Sequence, residues 1–259
     1  MELISSLQNP KIKDLVTLET KSRERRSRGV FVVEGRREIE RAMACGFEPV
    51  EIFCTDENNV PGTPSCPVFG VNEKVYGKIA YREGTEGVIA VMKARYAEVA
   101  KLRLSTKSLV LVLESVEKPG NLGAVLRTAD AAGVDAVFIC DPLTDLYNPN
   151  LIRASLGAVF SVTTVCCTSE EAYGVIKSAG LNVLTAQLQD SELYYDTDMT
   201  GGTALVFGTE DKGLTDFWRV RSDSRIRIPM AGLMDSLNVS VSAAILCFEA
   251  VRQRNTPKR

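Results

Sequence analysis

Three short stretches of this chain carry residues that could do chemistry. In "EKPGNLGAVLRTADAAG", Asn121 and Arg127 stand six apart on a helical pattern that opens at a glycine-bearing turn and stops at Gly133. In "ALVFGTEDKGL", an apolar run ends at Gly208 and is followed by Glu210 and a second glycine, Gly213. In "RIRIPMAGLMDSLNVSVSAAI", a strand pattern stops at Ile228 and Pro229, and the chain wanders past Gly232 and Ser236 before a helix begins at Asn238. A strand-to-helix turn exposes backbone amides to an anion. Glycine at a strand end admits a ligand or a second backbone, and a long irregular connector has amides and carbonyls it has not spent on itself. Each stretch also has a plainer reading as a structural turn or a capped core helix. Arg127 fits that reading least well, because a cation early in a helix opposes the helix dipole.

The chain has no histidine, which excludes Ser-His-Asp triads, Cys-His pairs and His-containing zinc sites. Any proton transfer must therefore use a carboxylate, Lys, Tyr, Cys, the substrate or water. The seven cysteines (Cys45, Cys54, Cys66, Cys140, Cys166, Cys167 and Cys247) are odd in number and show no C-x-x-C spacing, so buried free thiols are expected and no metal. The turn at Gly120, with Asp141 after the next strand pattern, admits a dinucleotide-binding reading, yet Gly120 and Gly123 give G-x-x-G in place of G-x-G-x-x-G. That reading, a dinucleotide-dependent oxidoreductase, is kept as a minor alternative.

The elements that must position these residues follow from the hydrophobic pattern. With 259 residues and 45% hydrophobic content, the chain can build real cores in one large domain or two ordinary ones. In the first part, "NPKIKDLVTL" predicts a helix capped by Asn9 with Pro10 in its first turn. Strand and helix patterns alternate from there to "GVIAVMK", giving a small α/β unit over residues 1–95. The charged stretch "KARYAEVAKLRLSTK" predicts a linker, residues 96–106, before a second domain over 107–259. That domain opens with "SLVLVLESV", a continuous apolar run suited to a strand buried on both faces of a parallel sheet. It closes with a helix on which Val241, Ala244, Ile245, Phe248 and Val251 form one apolar stripe, read as core or subunit packing. No internal repeat is present, and the only biased segment is the polar tail "RQRNTPKR".

No stretch approaches the roughly 18 unbroken apolar residues of a membrane span, and the start lacks the layout of a signal peptide, so a cytoplasmic protein free of the membrane is expected. The net charge of −2 offers nucleic acid no general attraction. Its distribution differs, because between Lys21 and Arg41 eight cations (Lys21, Arg23, Arg25, Arg26, Arg28, Arg36, Arg37, Arg41) face four carboxylates. This is either a phosphate-contacting patch or a solvated helix face laced with ion pairs. "KSRERRSR" within it has little apolar content and reads as an exposed loop.

Taken together, "NLGAVLRTA", "FGTEDKG" and "IPMAGLMDSLNVSVSAA" resemble, in order and distance, the three motifs of the SpoU (TrmH) family of RNA ribose methyltransferases, over about residues 108–252. "NPNLIRASLGAVF" is similar to the segment that family carries between its first two motifs. "PKIKDLVTL", "FVVEG" and "EGVIAVM" resemble more loosely the small RNA-binding domain found ahead of the catalytic domain in many members. The resemblance implies an α/β fold: a C-terminal parallel sheet with helices on both faces and a deep C-terminal trefoil knot, preceded by a small α/β RNA-binding domain. It implies S-adenosylmethionine as cofactor, held against Thr185, Ala186, Gly208, Ile228, Met230 and Leu237. It also implies methyl transfer to a ribose 2′-hydroxyl of ribosomal or transfer RNA by a site of Asn121, Arg127, Glu210, Ser236 and Asn238. Arg127 would clamp phosphate and hydroxyl, since a guanidinium with a pKa above about 12 is a poor base. A homodimer through the second domain is implied as well. Lys21, Arg23, Arg25, Arg26, Arg28 and Arg36 are the expected RNA contacts. The alternative within the same fold is a catalytically inactive RNA-binding or assembly protein.

Overall fold

The computed structural model describes residues 1–81 and 86–256; the last three residues of the polar tail lie outside the described residues. In chain order the first elements are β1 (Glu2–Ile4), α1 (Pro10–Thr20), α2 (Ser22–Arg28), β2 (Val30–Glu34), α3 (Arg36–Ala44), β3 (Pro49–Cys54), β4 (Val68–Val71), α4 (Glu73–Ile79) and β5 (Val88–Lys93). There follow β6 (Leu109–Glu114), α5 (Pro119–Ala132), β7 (Ala136–Cys140), α6 (Pro149–Ala154), α7 (Ala158–Ser161), β8 (Thr164–Cys167), α8 (Ser169–Ser178) and β9 (Asn182–Ala186). The last are β10 (Glu192–Leu193), β11 (Thr203–Phe207), α9 (Asp216–Arg221), β12 (Ser224–Arg227) and α10 (Val239–Asn255). Among the described residues no helix is long and apolar enough to cross a membrane.

The chain divides into two compact units: Met1–Arg95 with Asp145–Ser161, and Tyr96–Thr144 with Val162–Arg259. The first unit is built on a five-stranded mixed sheet ordered β1-β4-β3-β5-β2. α1 starts where the sequence signals it, with Asn9 accepting from the Lys11 amide and Pro10 at the first position, and its Ile12, Leu15 and Leu18 enter the core with Phe53, Val75 and Ile79.

Two features of this unit differ from the sequence expectation. "KSRERRSR" is the helix α2, closed by Gly29 in the left-handed region at φ 64°, where only glycine sits without strain. It lacks apolar residues because Arg25 takes the buried position: its guanidinium donates to Asp145 at 2.7 Å and to the carbonyls of Leu18 and Glu19. Secondly, residues 145–161 pack in the first unit. Tyr147 stacks on Phe31 with ring centroids 4.2 Å apart and planes 11° apart, and the Leu156 carbonyl accepts from Arg41.

The second unit carries a seven-stranded parallel sheet ordered β10-β12-β9-β11-β6-β7-β8. β6, β7 and β11 are buried along their whole length, as continuous apolar strands covered on both faces must be. The stretch expected to act as a linker packs partly into this core, through Val99, Leu102 and Leu104. Strand order reverses at β6, with β7 and β8 on one side and β11, β9 and β12 on the other. In open α/β sheets ligands bind at such a switch, beyond the carboxyl ends of the strands. α10 begins at Asn238, whose side chain accepts from the Ser240 amide, and packs against α5 and β11. Its core side is Val239, Ala243, Leu246, Cys247 and Ala250. The stripe singled out in the sequence is the neighbouring face, and Val241 and Phe248 on it are 45% and 46% exposed. The cysteines are free: Cys54, Cys140, Cys167 and Cys247 are buried, whereas Cys166 is exposed. Burial pushes the Cys247 thiol up to about 12.

Candidate active site

A cavity of about 320 Å³ opens in the second unit beyond the carboxyl ends of β9, β11 and β12. Its wall brings together residues far apart in sequence: Ala186 at the end of β9, Gly208 and Glu210 after β11, and Ile228, Met230, Ser236 and Leu237 after β12. The two bends at Gly208 and Ile228 therefore face one space.

The loop after β11 is closed on itself by paired backbone bonds, Thr209 N–H to the Gly213 carbonyl at 3.2 Å and Gly213 N–H to the Thr209 carbonyl at 2.9 Å. This closure needs glycine at both ends. Gly213 has φ +66°, and a Cβ on Gly208 would lie closer than 3.0 Å to the Gly213 carbonyl carbon, its oxygen and the Leu214 nitrogen. Within the loop, the Thr209 hydroxyl holds the exposed Asp211 carboxyl below the usual carboxylate range, helped by backbone amides. The loop is anchored from below by Glu114 at the end of β6, only 4% exposed, which accepts from the Thr215 amide at 2.8 Å and its hydroxyl at 2.6 Å.

At the mouth of the cavity the three motifs are joined by hydrogen bonds. Asn121 Nδ2 donates to Glu210 Oε1. Asn121 Oδ1 in turn accepts from Asn238 Nδ2 at 3.2 Å, and Asn238 Oδ1 accepts from the Ser240 amide and hydroxyl at 2.9 and 2.6 Å. The cap of α10 thus orients the Asn121 amide, which presents its N–H to Glu210. Ser236 is exposed on the cavity wall and donates to Asp235 at 3.2 Å.

Two expected residues stand apart from this arrangement. Arg127 is exposed on α5, about 9 Å further along the helix axis than Asn121, with no hydrogen-bond or ion-pair partner among the described residues. Thr185 does not line the cavity; it lies in β9 wholly buried beside Ala186, and its Oγ1 has no partner among the described residues. An enclosed hydroxyl left unpaired costs about 1–3 kcal/mol. Gln187 Oε1 and Arg219 Nε, on residues that do line the cavity, are enclosed and unpaired in the same way. Gln187, Arg219 and Glu114 are not among the site residues expected from the sequence. An acid ending the apolar run "LVLVLE" was the available signal for Glu114, while Arg219 reads in sequence as helix surface.

Of the expected RNA contacts in the first unit, Lys21, Arg23 and Arg26 are exposed without a partner among the described residues. Arg28 is held bidentately by Asp14 at 2.5 and 2.9 Å, and Arg36 reaches Glu40 and the Asn58 carbonyl. Arg25 is corrected: in its ion pair with Asp145 the two side chains are 3% and 5% exposed, so Arg25 is a core residue of the unit and unavailable to a ligand.

Comparison with known proteins agrees with the geometry. Residues 108–248 match the SpoU rRNA Methylase family, and residues 9–90 match an MRM3-like substrate binding domain. Over 250 residues the chain is 30% identical to the 23S rRNA (guanosine(2553)-2'-O)-methyltransferase RlmP of Bacillus subtilis (strain 168), covering 96% of this chain and 98% of that protein. A crystal structure of an RNA 2'-O ribose methyltransferase superposes with TM-score 0.86 at 37% identity, covering 97% of this chain and 99% of that one. The AdoMet-bound rRNA methyltransferase from Sinorhizobium meliloti does so with TM-score 0.91 at 29% identity, covering 98% and 99%. The chain belongs to the SpoU rRNA methylase family.

Proposed function

We propose that the protein is an S-adenosylmethionine-dependent methyltransferase acting on a ribose 2′-hydroxyl of structured RNA. The observation that carries this reading is the hydrogen-bonded chain Glu210–Asn121–Asn238 at the mouth of a cavity walled by Gly208, Ile228, Met230 and Leu237. Those residues fit the cofactor. Gly208 lets the backbone of Gly213 and Leu214 close against it, which fixes the loop that carries Glu210 beside the cavity, and the irregular stretch from Ile228 to Leu237 has backbone groups to offer adenine. When bound, the cofactor supplies an activated methyl group on sulfur.

The chain's own residues do the rest. Glu210, fixed by Asn121, places a carboxylate where positive charge and a departing hydroxyl proton both need one. Asn121 and Asn238 hold that carboxylate in one orientation, which substitutes alignment for chance encounter. Arg127, free on the surface of α5, clamps the phosphate next to the reacting ribose, and Ser236 shapes the loop. Only RNA offers the 2′-hydroxyl.

The family names and the matched substrate-binding domain support ribosomal RNA as the first substrate to test, with the first unit, Lys21, Arg23, Arg26, Arg28 and Arg36 on it, as the RNA-binding part. The outward stripe of α10 supports a homodimer, and the family fold supports the C-terminal trefoil knot and a cytoplasmic enzyme. The test is to map 2′-O-methylation in RNA from cells with and without the gene. One ribose methylation is expected to disappear and to return with the wild-type gene; a lost base methylation would overturn the assignment.

A further inference from the structure

Three side-chain atoms of the second unit are enclosed with no hydrogen-bond partner among the described residues, Thr185 Oγ1, Gln187 Oε1 and Arg219 Nε, and the last two belong to residues that line the cavity. Arg219 is the case with the most at stake, because it is charged. Its backbone carbonyl is committed, accepting from Arg225 Nε at 3.2 Å and the Ser222 hydroxyl at 3.1 Å. Its guanidinium has no carboxylate or other acceptor among the described residues. A half-buried guanidinium without a counter-ion is unfavourable, and its planar fork matches a carboxylate with two parallel N–H groups.

The position of the fork narrows the choice of anion. Arg219 Nη2 is 3.5 Å from where a Cβ on Gly213 would stand, so the guanidinium lies over the glycine that closes the Glu210 loop. The other cavity-lining cations are placed differently: Lys212 is exposed in the loop, and Arg227 reaches toward Ser191 Oγ at 3.5 Å.

We propose that Arg219 binds the carboxylate of the cofactor's amino-acid chain, an inference that rests on the cofactor assigned above. The sulfur of S-adenosylmethionine bears both the methyl group and the amino-acid chain, so the guanidinium of Arg219, which reaches from α9 over the loop that carries Glu210, is within a short chain's reach of the carboxylate. No other group on the cofactor is anionic.

Calorimetry on the full-length protein separates this role from general support of the pocket. S-Adenosylhomocysteine and 5′-methylthioadenosine share nucleoside and thioether, and only the first has the amino-acid chain. Arg219→Met is expected to weaken S-adenosylhomocysteine roughly ten- to a hundredfold and to leave 5′-methylthioadenosine within about twofold, as loss of a bidentate charged pair would. Arg219→Lys should fall between wild type and Arg219→Met for S-adenosylhomocysteine only. Equal weakening of both compounds, or none for S-adenosylhomocysteine, overturns the proposal. Thermal unfolding confirms that each variant is folded, with Arg219→Gln as a further variant. A wild-type protein that binds neither compound would instead overturn the cofactor reading itself.

Discussion

Replacing Gly208 by alanine tests whether the loop after β11 is closed as tightly as described. The added methyl would stand more than half an ångström inside the 3.0 Å limit that real Cβ atoms keep, against three backbone atoms of Gly213 and Leu214. Backbone cannot rotate away as a side-chain tip can, and Gly213 is doubly bonded to Thr209 while Thr215 is tied to the buried Glu114. The cost should therefore lie at the upper end of overpacking, about 3 kcal/mol, or a fall in Tm of roughly 6–12 °C. Because relief requires moving the loop that carries Glu210, cofactor affinity should fall more than about tenfold. Two glycines serve as controls. Gly232→Ala meets nothing within 4 Å and should be neutral, whereas Gly213→Ala, at φ +66° with its nearest neighbour 3.5 Å away, should cost only the left-handed strain of about 1–2 kcal/mol. Urea or thermal unfolding with calorimetry of S-adenosylhomocysteine reads both effects. A folded Gly208→Ala protein with unchanged Tm and unchanged affinity would refute the closed loop.

Further outcomes follow from the same geometry. Arg127→Ala should slow methyl transfer roughly 10²–10³-fold while leaving S-adenosylhomocysteine affinity within about twofold, since Arg127 is not among the cavity-lining residues; a parallel loss of affinity would contradict its role as a clamp on RNA. Removing Lys21, Arg23 and Arg26 together should lower the slope of log affinity for RNA against log salt by about 2–3. Arg25→Met should instead leave Asp145 buried and uncompensated, lowering Tm by roughly 10 °C. Burial, with Glu34 nearby, raises the Glu19 carboxyl from 4.5 to about 8. The folded state then keeps a proton that the unfolded chain releases between those values, so this group's contribution is full below pH 4.5 and is lost as pH rises to 8. Glu19→Gln should flatten that decline and stabilise the protein at pH 8 by about 2–3 kcal/mol after discounting partial exposure; parallel urea midpoints against pH for both proteins would contradict it.

What was legible in the sequence was local. Asn9 and Asn238 announce their helices because a cap is a contact between near neighbours, and the unbroken run "LVLVL" announces a doubly covered strand because burial on both faces removes the polar alternation. The three motifs could be recognised as a set, and the hydrogen bonds from Asn121 to Glu210 and Asn238 give their order a physical basis. What escaped depended on partners distant in sequence. Arg25 looks like a surface cation until Asp145, 120 residues on, takes it inside. The helical stripe through Val241 and Phe248 has the same period as the core side beside it, so periodicity alone could not say which face is covered. Arg219 carries no sequence signal, because its importance lies in the absence of a counter-ion.

The most direct measurement is transfer of a labelled methyl group from S-adenosylmethionine to RNA by the purified protein, followed by alkaline hydrolysis. A methyl on the 2′-oxygen blocks cleavage of the next phosphodiester, so the account predicts label in alkali-resistant dinucleotides, absent when Glu210 is replaced by alanine. Label confined to mononucleotides, or none with a protein that binds S-adenosylhomocysteine, would contradict it.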